Sequence, residues 1–441
     1  MSILYYYQES AKIVLSFLGC IMFLLNAPES SAAERYYENK TFKKGIKTVQ
    51  LYQANDPLTI PIIQLGTEEY LTLKFDELNA SQSDYYYTVL HCDADWKESY
   101  IMQSEYLDGF LDNPLNDYAL SFNTKVEYTN YLLELPNENM SFRYSGNYIL
   151  VVYEGNNREN VVLTRRFYVM ESKVNIAGRL KPATFDGYQG ENQELDFEVN
   201  FAGFQFNDPN QEAKIVLQKN RRWDSAVRGL KPRYFQDKLL NYNYDEENVF
   251  PGGNEFRYFD MRSWRYTGEG VAALHEFNDF QHVTLNVDEL RSNKKYFYYA
   301  EMNGLYRVES QDREIQDYDT ECDYAFVHFT LKMPQPLVGG KVCVFGALTN
   351  QELSDRYAMT WNFDTKQYEL SLLLKQAYYN YQYVYLPDGE TQADETVIEG
   401  SFYETENDYQ VFVYYRKQNS GRYDRLVGFR EFDSINNRNM E

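Results

Sequence analysis

Residues 194 to 201 read ELDFEVNF, and their alternation decides the fold. Leu195, Phe197, Val199 and Phe201 fall on one side of an extended chain, and Asp196, Glu198 and Asn200 on the other, because successive strand side chains point to opposite faces. One face is predicted to be core and the other wet, the pattern of an antiparallel sheet. The reading extends outward in both directions. SDYYYTVLHCDADW (83 to 96), SGNYILVVYEGNN (145 to 157), NVVLTRRFYVME (160 to 171), DYAFVHFTLKM (323 to 333), YYNYQYVYLPDG (378 to 389) and YQVFVYYRKQ (409 to 418) are rich in β-branched and aromatic residues and are bounded by turn formers. Gly155, Asn156 and Asn157 predict a hairpin between two of these runs. No convincing long helix interrupts them. The expected fold is all-β, built from tandem immunoglobulin-like β-sandwich domains.

At the N-terminus Lys12 precedes an apolar run from Ile13 to Leu25, and Ser31, Ala32 and Ala33 follow. A cation, a short apolar core and small residues at the cleavage point are the parts of a secretory signal, here residues 1–33; an uncleaved anchor is the alternative. No later segment has the apolar length of a membrane helix, so direct membrane insertion of the mature chain is not expected. Removing Lys12, Glu9 and Glu29 moves the net charge from −23 to −22. Such acidity repels phosphate backbones and anionic headgroups and argues against nucleic acid as a partner.

The length after cleavage suits two to three domains. Boundaries are read at Glu171-Ser172-Lys173, where a strand-like run ends, and at Met333-Pro334-Gln335-Pro336, since proline is excluded from central strands. The expected domains are 34–172, 173–333 and 334–441. The charged stretch from Glu309 to Asp323 reads as a solvated loop. Cys92, Cys322 and Cys343 are odd in number and widely spaced; three buried free thiols are favoured, with one bridge the alternative.

Little in the chain asks for chemistry. His91, Cys92, Asp93 and Asp95 are metal-ligand types, but His and Asp at every second position of a strand spread over about 13 Å, too far to grip one ion. They read as polar residues closing a strand before Trp96. Gly268-Glu269-Gly270 mimics a dinucleotide fingerprint without the preceding apolar strand. No catalytic residue, cofactor or metal is therefore predicted.

Binding is the better expectation. Tyrosine occurs 43 times, and Tyr379, Tyr381, Tyr383 and Tyr385 would share one face of a strand, a candidate recognition surface. The stretch 254 to 270 interleaves Arg257, Arg262 and Arg265 with Tyr258, Trp264 and Tyr266. Those six are candidate partner contacts, because Arg with aromatics composes interface hot spots; an internal strand pair with stacked arginines explains the stretch equally well.

Tyr87-Thr88-Val89-Leu90-His91-Cys92-Asp93-Ala94-Asp95-Trp96, Ser104 to Phe110, Ser121 to Thr124, Leu135-Pro136-Asn137 and Ser145 to Tyr148 resemble the first domain of type IX secretion system plug proteins. Gly252 to Asp260 (GGNEFRYFD) is similar to that family's middle region. The resemblance implies a non-catalytic periplasmic protein of Bacteroidetes-type bacteria at the inner face of the outer membrane. It would bind a giant outer-membrane translocon β-barrel and close its periplasmic opening when no cargo passes. Residues 342 to 350, Trp361 and 378 to 386 resemble early-set immunoglobulin-like modules, some of which bind glucans. Glycan binding through such a C-terminal domain is the alternative function.

Overall fold

A computed structural model describes residues 37–78, 82–185, 187, 190–277 and 280–435; the signal expected at 1–33 lies outside the described residues. ELDFEVNF forms most of the strand Asn192–Asn200, with Leu195, Phe197 and Val199 buried in a core. Its polar face is only partly wet. Asn200 is exposed, whereas Glu194 and Asp196 are buried, because Lys181 on the neighbouring strand lies across both carboxylates at 3.0 and 2.7 Å. An ion-paired lid covers what alternation alone assigns to water.

The chain is all-β and folds into three sandwiches. In the first, Val161–Met170, Gly146–Glu154 and Tyr85–Cys92 form the centre of one sheet, and Ile46–Gln53, Leu71–Glu77, Thr129–Leu135 and Asp117–Leu120 form the other. The hairpin at Gly155 joins Gly146–Glu154 to Val161–Met170 as expected. The second sandwich sets Asn175–Pro182, Asn192–Asn200, Leu239–Asn241 and Tyr234–Gln236 against Val227–Arg228, Ala213–Lys219, Asp408–Tyr415 and Arg425–Asp433. The third lies between, inserted into the second. Arg257–Asp260, Ala377–Pro387, Tyr306–Val308 and Gly340–Phe345 face a sheet of Val271–Phe277, Phe280–Leu285, Tyr324–Lys332, Gln367–Lys375 and Thr360–Asn362.

This topology corrects the boundary read at Pro334 and Pro336. Tyr324–Lys332, just before the prolines, pairs along its whole length with Gln367–Lys375 beyond them. The prolines end a strand without ending a domain. The segment 334–441 is therefore divided: Ala377–Pro387 pairs with Arg257–Asp260 in the third sandwich, and Asp408–Tyr415 pairs with Ala213–Lys219 in the second.

The sandwiches are fastened by buried seams. The outer face of the first, with Trp96, Ile149, Val151, Tyr153 and Tyr168, packs on Val216, Phe412, Tyr414 and Leu426 of the second. Gly146–Glu154 is thus covered on both faces, and its sequence is a continuous apolar run instead of an alternating one. Arg166 lies between the rings of Trp96 and Trp223, 4.5 and 4.9 Å from their centroids. The expected solvated loop 309 to 323 ends in a clasp on the first sandwich: Asp323 accepts the backbone N–H groups of Lys125 and Val126, and Tyr128 donates to the carbonyl of Cys322.

The third sandwich joins the second through a two-stranded neck, Gly252 to Glu255 entering and Gly400 to Asn407 leaving. Phe402 N–H donates to Gly253 O at 2.9 Å, and Asn407 Nδ2 donates to Gly252 O at 2.8 Å. A Cβ on Gly252 would lie 2.0 Å from the carbonyl oxygen of Phe402, so only glycine fits there. Glu255 is buried in the neck, where it accepts from Tyr296 Oη and from Glu406 N–H. Burial pushes its carboxyl up to about 7, with Tyr296 opposing. A folded value above the unfolded one means that stability is fully present below the unfolded value and is lost as pH rises from about 4.5 to about 7. Glu255→Gln is therefore expected to gain about 2–3 kcal/mol over the native chain at pH 8, and nothing at pH 4, after allowing for partial solvation. Urea midpoints at the two pH values check this; an equal shift at both would contradict it.

Candidate interaction surfaces

The polar cluster at the end of Tyr85–Cys92 is structural. His91 is buried, with Nδ1 2.8 Å from Ser99 Oγ and Nε2 3.1 Å from Ser145 O. Burial pushes its pKa down to about 4, so the ring is neutral. Asp93 Oδ1 accepts the N–H groups of Asp95 and Lys97, forming the turn in which Trp96 takes a positive φ of 62°. Among the described residues no group of three or more His, Cys, Asp or Glu side chains is arranged, as it stands, to hold a metal ion. Cys92, Cys322 and Cys343 are buried and free. Gly268 and Gly270 press against the strand Arg257–Asp260, where a Cβ on Gly268 would meet Asp260 O at 2.3 Å. That loop is a close-packed turn.

The candidate recognition tyrosines are core. Tyr379, Tyr381 and Tyr383 are buried, and their hydroxyls donate to Lys375 O, Asp288 and Asp288 at 2.7, 2.7 and 2.8 Å. Tyr385 is half-buried and donates to Val338 O. Period two marks a shared face but not what covers it; here the facing sheet does, with Asp288 accepting two of the phenols.

The arginine-aromatic stretch divides between inside and outside. Arg257 is buried, bonded to Glu399 at 3.0 Å and to Asp288 at 2.6 Å. Tyr258 stacks on Tyr378 with centroids 5.8 Å apart. Arg262 holds Asp260 through two bonds of 2.9 and 2.8 Å and reaches Glu309. Trp264 packs on the core, and its backbone N–H donates to Asp312. Only Arg265, paired with Glu314, and Tyr266, bonded to Gln311, face solvent. The internal strand pair thus accounts for most of the stretch. No tryptophan forms an open platform: Trp96 and Trp223 lie in the seam, and Trp361 leans on Tyr368.

Exposed aromatics occur on all three sandwiches, Phe297 and Phe363 on the third and Tyr234 and Phe235 on the second among them, and several fall within one segment of the first. Tyr100 is 91% exposed, Phe122 71% and Phe110 68%, with Met102 and Leu120 between them in sequence. All four residues of the edge strand Asp117–Leu120 are exposed. Periodicity misses this segment because its apolar residues stand in loops and short bridges. The only signal is that Phe110 and Phe122 fall inside runs quoted for the family resemblance.

Residues 46–171, which are this first sandwich, match the model of the type 9 secretion system plug protein 1st domain. The chain belongs to the type 9 secretion system plug protein family. Its role thereby lies within type 9 secretion. Among solved structures, the chain is similar to that of a hypothetical protein from Parabacteroides merdae ATCC 43184, at 36% identity and a TM-score of 0.87, covering 90% of this chain and 99% of the other. No curated protein matches it.

Proposed function

We propose that the protein is a non-catalytic periplasmic plug that binds the barrel of an outer-membrane type 9 translocon and closes its periplasmic opening when no cargo passes. The observation that carries this reading is the family match over the first sandwich, the unit that also exposes Tyr100, Phe110 and Phe122. Obstructing a pore demands a body that does not deform, and three sandwiches joined by buried seams supply one. The contacts must also be breakable when cargo arrives. Singly exposed aromatics in an acidic chain suit modest, reversible docking better than a continuous apolar face does. The glycan alternative loses its platform, since Trp361 leans on its neighbour and the tyrosines 379, 381 and 383 are core.

Deleting the protein is expected to leave the translocon assembled but leaky. Outer-membrane permeability to large hydrophilic compounds should rise, and should fall again when the barrel is removed as well. A Tyr100→Asp, Phe110→Asp, Phe122→Asp chain should fold and fail to restore the seal. Unchanged permeability in the single deletion would count decisively against the plug.

A further inference from the structure

A cavity of about 150 Å³ lies where the three sandwiches meet, and no Asp or Glu among the described residues lines it, although the chain carries 66 acidic residues against 43 basic ones. Arg165, Arg166 and Arg221 do line it. The strand Val161–Met170 pairs with Lys40–Thr41 at Leu163 and Thr164, and with Ile62–Gln64 from Tyr168 onward. The cavity borders the interval between those pairings, so Arg165 and Arg166 both reach it although successive side chains of a strand leave on opposite faces. Arg221 comes from the second sandwich and Asn350 from the third.

These guanidiniums lack what other buried arginines of the chain have. Arg222, Arg257 and Arg291 each hold a carboxylate in an ion pair. Arg165 is held instead by the carbonyls of Thr164 and Lys40 and by Asn350 Oδ1, and Arg221 by the carbonyls of Leu58 and Thr59. Arg166 donates to Tyr37 O and lies between two indole rings. All of these neighbours are neutral. Glu352, Glu38 and Glu431 act on Arg165, Arg166 and Arg221 only at longer range. Burial pushes Arg165 and Arg166 down to about 10, and Arg221 down from its ordinary value, the mark of cations enclosed without a counter-charge.

The wall also carries uncommitted donors. Asn39 Oδ1 accepts the backbone N–H of Arg166 at 2.8 Å, and Asn350 Oδ1 accepts Arg165 Nη2 at 2.7 Å, which fixes which end of each amide is oxygen. The NH2 groups of both asparagines, and both Nη atoms of Arg166, donate to no group among the described residues.

We infer that this cavity binds one doubly charged tetrahedral oxyanion of the phosphate or sulfate type, held by Arg166, Asn39 and Asn350 in the field of Arg165 and Arg221. Neutral oxygens and indole faces solvate a guanidinium, but only an anion removes the net charge, and three cations favour a double charge over a single one. The polar space has room for several waters, and hence for one such ion in their place. The ion would touch the first sandwich through Arg166 and Asn39 and the third through Asn350, with Arg221 of the second beside it, so binding fastens the junction. The cavity shares Arg166, Trp223 and Asn350 with a wider cleft of about 520 Å³, which can take the remainder of a phosphomonoester.

Calorimetric titration of the mature chain with inorganic phosphate at pH 7.5 and low ionic strength is expected to show one ion per chain, with sulfate competing and chloride much weaker. Arg166→Gln should weaken binding about tenfold or more and Asn350→Leu several-fold, while Arg265→Gln at the surface should leave it unchanged. Phosphate should raise the melting temperature of the native chain and not that of Arg166→Gln. A readout independent of variant folding is the guanidinium nitrogen spectrum of the native chain, where phosphate should shift Arg166 and leave ion-paired Arg222 unmoved. Glycerol phosphate binding as tightly as inorganic phosphate assigns the site to a phosphate carried on a larger molecule, and weaker binding assigns it to the free ion. No binding of phosphate or sulfate by the native chain, binding that survives intact in Arg166→Gln, or an unmoved Arg166 resonance would overturn the site.

Discussion

A fragment beginning at Gln335 is expected to remain unfolded. Its strand Gln367–Lys375 would lose all nine of its register partners in Tyr324–Lys332, and Asp408–Tyr415 would lose the seven it has in Ala213–Lys219. Ala377–Pro387 would keep Gly340–Phe345 but lose Arg257–Asp260 and Tyr306–Val308, which flank it on opposite edges. The apolar side chains these partners bury, Tyr409, Val411, Val413 and Leu372 among them, would be opened to water together with rows of backbone donors and acceptors. Too little buried surface then remains to offset the conformational entropy of ordering the fragment. Near-ultraviolet circular dichroism and amide dispersion of residues 335–441 should be those of a disordered or aggregating chain. Residues 173–435, which hold both strands of every pair named above, should fold. A dispersed, monomeric spectrum from the shorter fragment would overturn the inserted arrangement.

The contrast shows what a single sequence carries. The strands were legible because each needs only its own residues: alternation in ELDFEVNF, continuous apolar character in NYILVVY, turn formers at Gly155 to Asn157. The partition was not, because a discontinuous sandwich is held by pairs such as Ala213 with Tyr415, which leave no local mark. Prolines 334 and 336 report the end of a strand and nothing about which sandwich follows. The tyrosines 379, 381 and 383 mislead for a related reason. Their spacing defines a face, but the acceptor that makes burial tolerable, Asp288, lies some ninety residues away in sequence. Most of the arginine-aromatic stretch is internal for the same reason, since Arg257 looks free until Glu399 is brought beside it, while Arg265 and Tyr266 stay at the surface. The exposed side chains of Tyr100, Phe110 and Phe122 escaped because periodicity detects burial, and loop residues that face water carry no such period.

Glu399→Ala is expected to destabilise the third sandwich by about 3–5 kcal/mol. The side chain is fully buried and accepts Nε and Nη2 of Arg257 at about 3 Å, Nε of Arg291 at 2.6 Å and the backbone N–H of Tyr383 at 2.9 Å. Burial by itself would raise its pKa. Arg257 and Arg291 more than reverse that, and the carboxyl sits below its ordinary value. A depressed acid contributes stability that is fully present above the unfolded value and is lost as pH falls through the folded one. The loss is large because truncation does not remove a pair; it strands two guanidiniums in a closed interior, with Asp288 the remaining carboxylate on Arg257. Trp264 and Trp361 both report on this sandwich. Urea unfolding followed by their fluorescence at pH 7 should shift to lower concentration in the variant, and the gap from the native chain should narrow at pH values below the folded pKa of Glu399, where the native carboxyl is itself protonated. A loss below about 1 kcal/mol, in the range of an exposed ion pair, would mean that water reaches the guanidiniums and that the neck is not closed.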